Sequence, residues 1–141
     1  MSMKGFLKHN KHKKLTLLTY GYTAFYRLLI LTVPARKLER GLGQRGEESA
    51  DEEPIEVMTR AYRIGRMVER IADKTPWKST CLVKAMTARK LLVREQIPCT
   101  LYLGVGKAEG KMVAHSWLRC GTVYVTGGNG AGYAIVAKFR N

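Results

Sequence analysis

Acidic residues are missing from both ends of the sequence. The 141-residue chain has 25 Lys and Arg against 11 Asp and Glu, a formal net charge of +14, yet no acid precedes Glu39 and none follows Glu109. Such a basic surface attracts polyanions, namely nucleic acid, anionic lipid or an acidic protein partner. No nucleic-acid reader motif accompanies the charge, so we expect no nucleic-acid partner. The C-terminal end of the chain also has no carboxylate to offer a catalytic centre.

Cysteine is scarce and odd in number, with Cys81, Cys99 and Cys120 as the full set. Because the sequence shows no cleavable secretory signal, a disulfide framework is not expected and reduced thiols in the cytoplasm are predicted. These thiols and His115 could alternatively bind zinc, but they include no closely spaced ligand pair. His9 and His12 have no carboxylate or cysteine beside them. We therefore expect no metal site.

A long uninterrupted hydrophobic run is missing as well. Residues 15–33 are strongly apolar, but they contain Gly21, Arg27 and four threonines, and Pro34 follows them. A helix packed on the core or facing a partner is favoured, while a helix lying at a membrane interface is the alternative and a membrane span is least favoured. The composition predicts two parts. Residues 1–53 form a basic arm, this apolar helix and an exposed acidic linker, and residues 54–141 form a compact core.

The core begins with two predicted helices. Apolar residues recur at helical spacing after Pro54, and the first helix should end near Pro76 because proline cannot continue it. Ser79 or Thr80 can cap a second helix that runs to about Arg94. The residues expected to face the core are Val57, Ala61, Ile64, Val68, Ile71, Leu82, Ala85, Met86 and Leu92.

From residue 100 onward, apolar and polar residues alternate as they do in half-buried strands. The pattern predicts strands at 101–105, 111–119, 122–126 and 133–139, joined as an antiparallel meander. The predicted fold class is therefore α+β, with helices packed on the meander. The glycine-rich segment 127–132 precedes no helix and contains no Gly-Lys-Ser/Thr, so it predicts a flexible turn and no nucleotide cofactor.

Cys81 and His115 are the candidate chemical pair. A cysteine in the first turn of a helix receives the positive end of the helix dipole, and Lys78 and Lys84 add positive charge, so a thiolate is favoured there. A histidine on a neighbouring strand can then act as its base. Each residue also has a structural alternative. Cys81 could be a small buried apolar residue, and His115 could be a strand residue whose imidazole is hydrogen-bonded and serves only the structure.

Hairpin geometry predicts a third group. If Cys120 and Gly121 form a two-residue turn, His115 pairs with Thr126 on the next strand. A threonine hydroxyl can accept a hydrogen bond from an imidazole N–H, but it carries no negative charge.

Three segments in this order resemble a known family: WKSTCLVKA at 77–85, LYLGV at 101–105 and AHSWL at 114–118. The chain is similar to the lasso-peptide B proteins, in particular the stand-alone leader peptidase with a transglutaminase-like or papain-like core. The similarity covers about residues 55–141 and includes the glycine-then-aromatic ending. It implies a cysteine protease that removes the leader from a ribosomally made precursor, before a separate ATP-dependent cyclase closes the ring.

The resemblance also implies roles and partners. Cys81 would be the nucleophile and His115 the base, whereas the aspartate of many family members is replaced here by the Thr126 segment, so that Thr126 or Asn129 would take the third role. Substrate contacts are expected from Trp77, Ser79 and Trp117. The precursor, a separate leader-binding protein and the cyclase are the expected partners, with the N-terminal region as docking surface. Contact with a membrane surface is an alternative for that region. A non-catalytic peptide-binding relative and an acyl or amine transferase remain alternative functions.

Overall fold

The computed structural model describes the backbone of residues 3–141 and the side chains of residues 13–141. Its helices are α1 (Met3–Thr32), α2 (Ala35–Arg40), α3 (Ile55–Ala72) and α4 (Cys81–Arg94). Its strands are β1 (Gln44–Arg45), β2 (Thr100–Ala108), β3 (Lys111–Cys120), β4 (Val123–Thr126) and β5 (Ala134–Arg140).

The five strands form one antiparallel sheet in the order β1-β5-β2-β3-β4. One face, which carries Leu101, Leu118 and Phe139, packs against α3 and α4 to form the hydrophobic core. Because side chains alternate along a strand, Trp117 and His115 lie on the opposite face of β3. The predicted α+β class is confirmed.

The predicted meander is wrong at its last step, because β5 pairs with β2 and not with β4. The chain leaves β4 at the edge of the sheet and returns through residues 127–133 to the far side of β2. The glycine-rich segment is therefore a crossing rather than a hairpin turn. Glycine is needed at Gly130, where a Cβ atom would collide with the Trp117 ring.

The two core helices have the predicted boundaries and faces. Ala61, Ile64, Val68 and Ile71 of α3 are buried, as the helical period requires. Thr80 caps α4, since its side chain accepts a hydrogen bond from the backbone N–H of Val83 at 3.4 Å. This bond satisfies one of the free amides at the helix start.

The N-terminal helix starts earlier than predicted. Instead of an arm up to residue 14, α1 extends from Met3, because its lysines are compatible with a helix and no proline occurs before Pro34. The predicted solvation of the side chains before residue 13 lies outside the described residues. Further along, Leu15, Leu18 and Tyr26 pack against the core, which confirms a core-packed helix. Within the described residues, no helix combines the length and apolarity that a membrane crossing requires.

The predicted linker is also more ordered than expected. It contains α2 and β1, and Leu42 is buried in the core. Ser49 is buried too, and its N–H and hydroxyl both contact the hydroxyl of Thr100, at 2.8 and 2.7 Å. These contacts connect the segment to β2. The boundary between residues 53 and 54 stays a prediction.

Candidate functional site

Cys81 is the first residue of α4, directly after the Thr80 cap. The residue is partly exposed. The N-terminal end of a helix carries a partial positive charge that favours a thiolate. The prediction that Cys81 lies in the first turn of a helix is confirmed, and its role as nucleophile stays a prediction.

The other two cysteines are unsuited to this chemistry, since Cys99 and Cys120 are 1% and 0% exposed. Burial raises the pKa of Cys99 to about 12 and that of Cys120 to about 11. Both remain protonated thiols at neutral pH, and a thiol is a poor nucleophile. Of the three cysteines, all of which the structure describes, Cys81 is the accessible one.

His115 lies on β3 with a fixed orientation. Its Nε2 is 2.6 Å from the carbonyl oxygen of Gly127. Because a carbonyl can only accept, Nε2 carries the proton and Nδ1 of the neutral ring has the free lone pair. The ring stacks on Tyr133 and Trp117, with centroid distances of 4.7 and 5.9 Å. The imidazole is thus held by one hydrogen bond and two aromatic rings, with Nδ1 as its basic atom.

The predicted pairing of His115 with Thr126 is wrong. The observed turn is Gly121 and Thr122, so that Cys120 pairs with Val123, and a register shift between Leu118 and Arg119 brings Thr126 opposite Leu118. The hydroxyl of Thr126 is buried and, among the described side chains, has no hydrogen-bond partner. The group that contacts the imidazole is the backbone carbonyl one residue later.

Gly127 is itself held by α3. Its N–H donates to Oε1 of Glu69 at 3.3 Å, and Oε2 of Glu69 contacts Nζ of Lys84 at 2.9 Å. Lys84 lies on α4, one turn after Cys81, so a chain of polar contacts leads from the cysteine helix through Glu69 and Gly127 to His115. Since Lys84 is paired with Glu69, the positive charge predicted to assist Cys81 is partly neutralised.

No hydrogen bond joins the sulfur of Cys81 to the imidazole of His115 in the part of the chain that the structure describes. Nucleophile and base are often separated in enzymes without substrate and approach when substrate binds. α4 contacts β3, but through the face that carries Leu118, whereas His115 lies on the opposite face of that strand. The structure shows an imidazole oriented by a peptide carbonyl, and its pairing with Cys81 stays a prediction.

This geometry agrees with a sequence comparison, in which the family model for the Transglutaminase-like superfamily matches residues 26–138. The chain belongs to the transglutaminase-like superfamily. The matched region contains Cys81 and His115. It also contains the residues of the polar contacts between them, Lys84, Glu69 and Gly127. Cysteine peptidases and transferases both occur in the transglutaminase-like superfamily. Neither a curated protein nor a solved structure matches the chain.

The predicted substrate-binding residues have structural partners within this transglutaminase-like domain. The indole N–H of Trp77 donates to the hydroxyl of Thr23 at 3.2 Å, which ties the loop before α4 to α1. The hydroxyl of Ser79 is 2.8 Å from that of Thr75. Trp117 is 3% exposed and lies beneath the glycine crossing. Substrate contacts by these residues stay predictions.

The alternative third residue is engaged elsewhere in the domain. Oδ1 of Asn129 accepts a hydrogen bond from the N–H of Ala131 at 2.9 Å, so this side chain shapes the crossing. Within the described residues, no group of three or more His, Cys, Asp and Glu is placed to hold a metal ion. The proposed zinc alternative has no support in this geometry.

Sequence reasoning missed Glu69, Gly127 and Tyr133. Glu69 had a weak signal, because it lies on the border of the apolar face of α3, where a charged residue can reach a neighbouring element. Gly127 contributes backbone atoms only, so its residue type does not indicate the role. Tyr133 reaches His115 because of the crossing, which the predicted meander did not contain.

Proposed function

We propose that the chain is the cysteine protease that removes the leader peptide from a ribosomally made lasso-peptide precursor. The observation that supports this function best is the partly exposed Cys81 at a capped helix N-terminus, in one domain with an imidazole whose Nδ1 has no hydrogen-bond partner among the described residues. The family match supports the fold and the cysteine chemistry, and the resemblance of the three sequence segments supports the substrate.

In the proposed reaction, Nδ1 of His115 takes the thiol proton of Cys81, and the thiolate attacks the carbonyl carbon of the bond between leader and core. When the tetrahedral intermediate collapses, the carbon–nitrogen bond breaks and the imidazolium gives its proton to the leaving amine. Water then hydrolyses the thioester and releases the leader as a carboxylate. The freed amine of the core peptide is the group that a ring-closing cyclase requires.

The proposed partners are a separate leader-binding protein that delivers the precursor, and the cyclase. We place the docking surface for the leader-binding protein on α1, where four large apolar side chains are more than half exposed. They are Leu17, Phe25, Leu28 and Leu31. A groove of about 870 Å³ includes Leu17 and Phe25 in its lining and is flanked by Lys13, Lys14 and Lys90. An apolar surface with basic edges suits a partner that has apolar and acidic residues.

The test combines the purified chain, the leader-binding protein and a precursor, and follows the precursor by mass spectrometry. Cleavage at one amide bond is expected, and Cys81→Ala should abolish it. Cys99→Ala is the matched control, because it removes a buried thiol and should keep the activity of folded protein. A product that carries a transferred group instead of a new carboxylate would assign a transferase.

One observation favours the second candidate, a non-catalytic peptide-binding relative. In the described structure the imidazole of His115 contacts a backbone carbonyl and no carboxylate. In many such enzymes a carboxylate beside the histidine stabilises the imidazolium, and here no negatively charged group contacts the ring directly. Precursor binding without cleavage in the same assay, with Cys81→Ala binding equally well, would support this candidate.

A further inference from the structure

We propose that Glu69 is the positioning residue of the catalytic centre, holding His115 in its active orientation through the backbone of Gly127. The inference rests on the proposed function for its catalytic consequence, but its structural content can be tested without substrate. It identifies a carboxylate from α3 as the group that supports His115 in a chain whose C-terminal strands contain none.

The first support is the geometry of the contacts. Gly127 donates its N–H to Glu69 at 3.3 Å and accepts from Nε2 of His115 at 2.6 Å. The same residue is therefore fixed on its amide side by the carboxylate and fixes the imidazole on its carbonyl side. A displacement of Gly127 has to displace the acceptor of the imidazole proton.

The second support is a parallel anchor one helical turn earlier on α3. NH2 of Arg66 donates to the carbonyl oxygen of Val125 at 3.1 Å. Because residues three apart lie on the same side of a helix, Arg66 and Glu69 together hold the chain at Val125 and Gly127. Close approach is required here, since a Cβ atom at Gly65 would collide with the carbonyl of Val125.

The third support is the use of both carboxylate oxygens. Oε1 of Glu69 serves Gly127, while Oε2 pairs with Lys84 of the cysteine helix. The carboxylate is partly buried, with 27% of its side chain exposed, so its position is set by two partners and by packing. Glu69 thereby connects the element that carries Cys81 to the residue that orients His115.

The substitutions separate the hydrogen bond from the charge. Glu69→Ala leaves the Gly127 N–H without its acceptor, and we expect kcat to fall by about 10- to 100-fold with little change in KM, because a misplacement near 1 Å has an effect of that size. Glu69→Gln keeps an oxygen for the N–H but loses the ion pair with Lys84, so it should restore part of kcat. Glu56→Ala, at an exposed position in the first turn of α3, is the control.

The decisive experiment measures the tautomer of His115 by ¹⁵N NMR of the full chain labelled at histidine, at a pH where the ring is neutral, with His115→Gln for assignment. The wild type and Glu56→Ala should show the Nε2–H form, and Glu69→Ala a mixture of both forms. An unchanged tautomer in Glu69→Ala overturns the proposal, whatever happens to kcat. A changed tautomer in a chain that cleaves no precursor supports the positioning by Glu69 and counts against the proposed function alone.

Discussion

Replacing Gly127 by alanine tests the carbonyl acceptor of His115 most directly. Gly127 has a φ of +77°, and a Cβ atom there would collide with the carbonyl of Ser116 and approach the Cβ of Trp117 to 2.9 Å. A left-handed backbone costs an alanine about 1–2 kcal/mol. Relieving an overpacked contact costs about 1–3 kcal/mol more. The free energy of unfolding should therefore fall by about 2–5 kcal/mol.

Gly128 offers a matched control beside it. Its φ is +75°, but no atom lies within 4 Å of the position that a Cβ would take, so Gly128→Ala has the backbone cost without the collision. Because relief of the collision moves the Gly127 carbonyl away from Nε2 of His115, kcat should fall by about 100-fold in Gly127→Ala. In Gly128→Ala it should stay within about threefold of the wild type, since the carbonyl is not displaced.

Urea denaturation measures the stability of both variants, and initial rates of precursor cleavage under saturating substrate measure kcat. Rates are divided by the concentration of folded protein, so that instability does not count as lost catalysis. Equal stability losses together with equal kcat values would refute the argument that this backbone position orients the imidazole.

The other two predictions concern reactivity and docking. At pH 8, iodoacetamide should modify Cys81 alone in the folded chain, because burial raises the pKa of Cys99 to about 12 and that of Cys120 to about 11. The intact mass should show one adduct. Two or three adducts would contradict the assignment of Cys81 as the reactive thiol. Leu28→Ser should weaken binding of the leader-binding protein by about 5- to 30-fold, a loss of roughly 1–2 kcal/mol, whereas Val136→Ser should not. These side chains are similarly exposed, at 62% and 57%, and calorimetry compares the affinities of the two variants; equal affinities would exclude Leu28 from the interface.

The two core helices and the place of Cys81 at a helix start could be predicted from the sequence because their signals are local. Helical spacing of apolar residues defined the buried face of α3, and the two candidate caps Ser79 and Thr80 marked the start of α4. Strand alternation likewise located β2 and β3. Each of these signals depends on residues within a few positions of one another.

The pairing of the site could not be predicted, because it depends on tertiary contacts. A turn shifted by one residue and a bulge changed the partner of Thr126 from His115 to Leu118. The position of β5 beside β2 follows from a crossing that no local pattern distinguishes from a hairpin. Glu69 contacts Gly127 although the two residues are 58 positions apart in the sequence. A register error of one residue reverses the face of every side chain, so a small error in the turn is enough to assign the wrong strand partners.

The aromatic stack around His115 makes the charge on its ring visible optically. Trp117 lies with its ring 5.9 Å from the imidazole and 5.3 Å from Tyr102, shielded from solvent beneath the crossing. A protonated imidazole quenches the emission of a nearby indole, while the neutral ring does so much less. Since Trp77 is the other tryptophan in the sequence, a chain with Trp77→Phe would carry one emitter, placed to report the protonation state of His115 in real time.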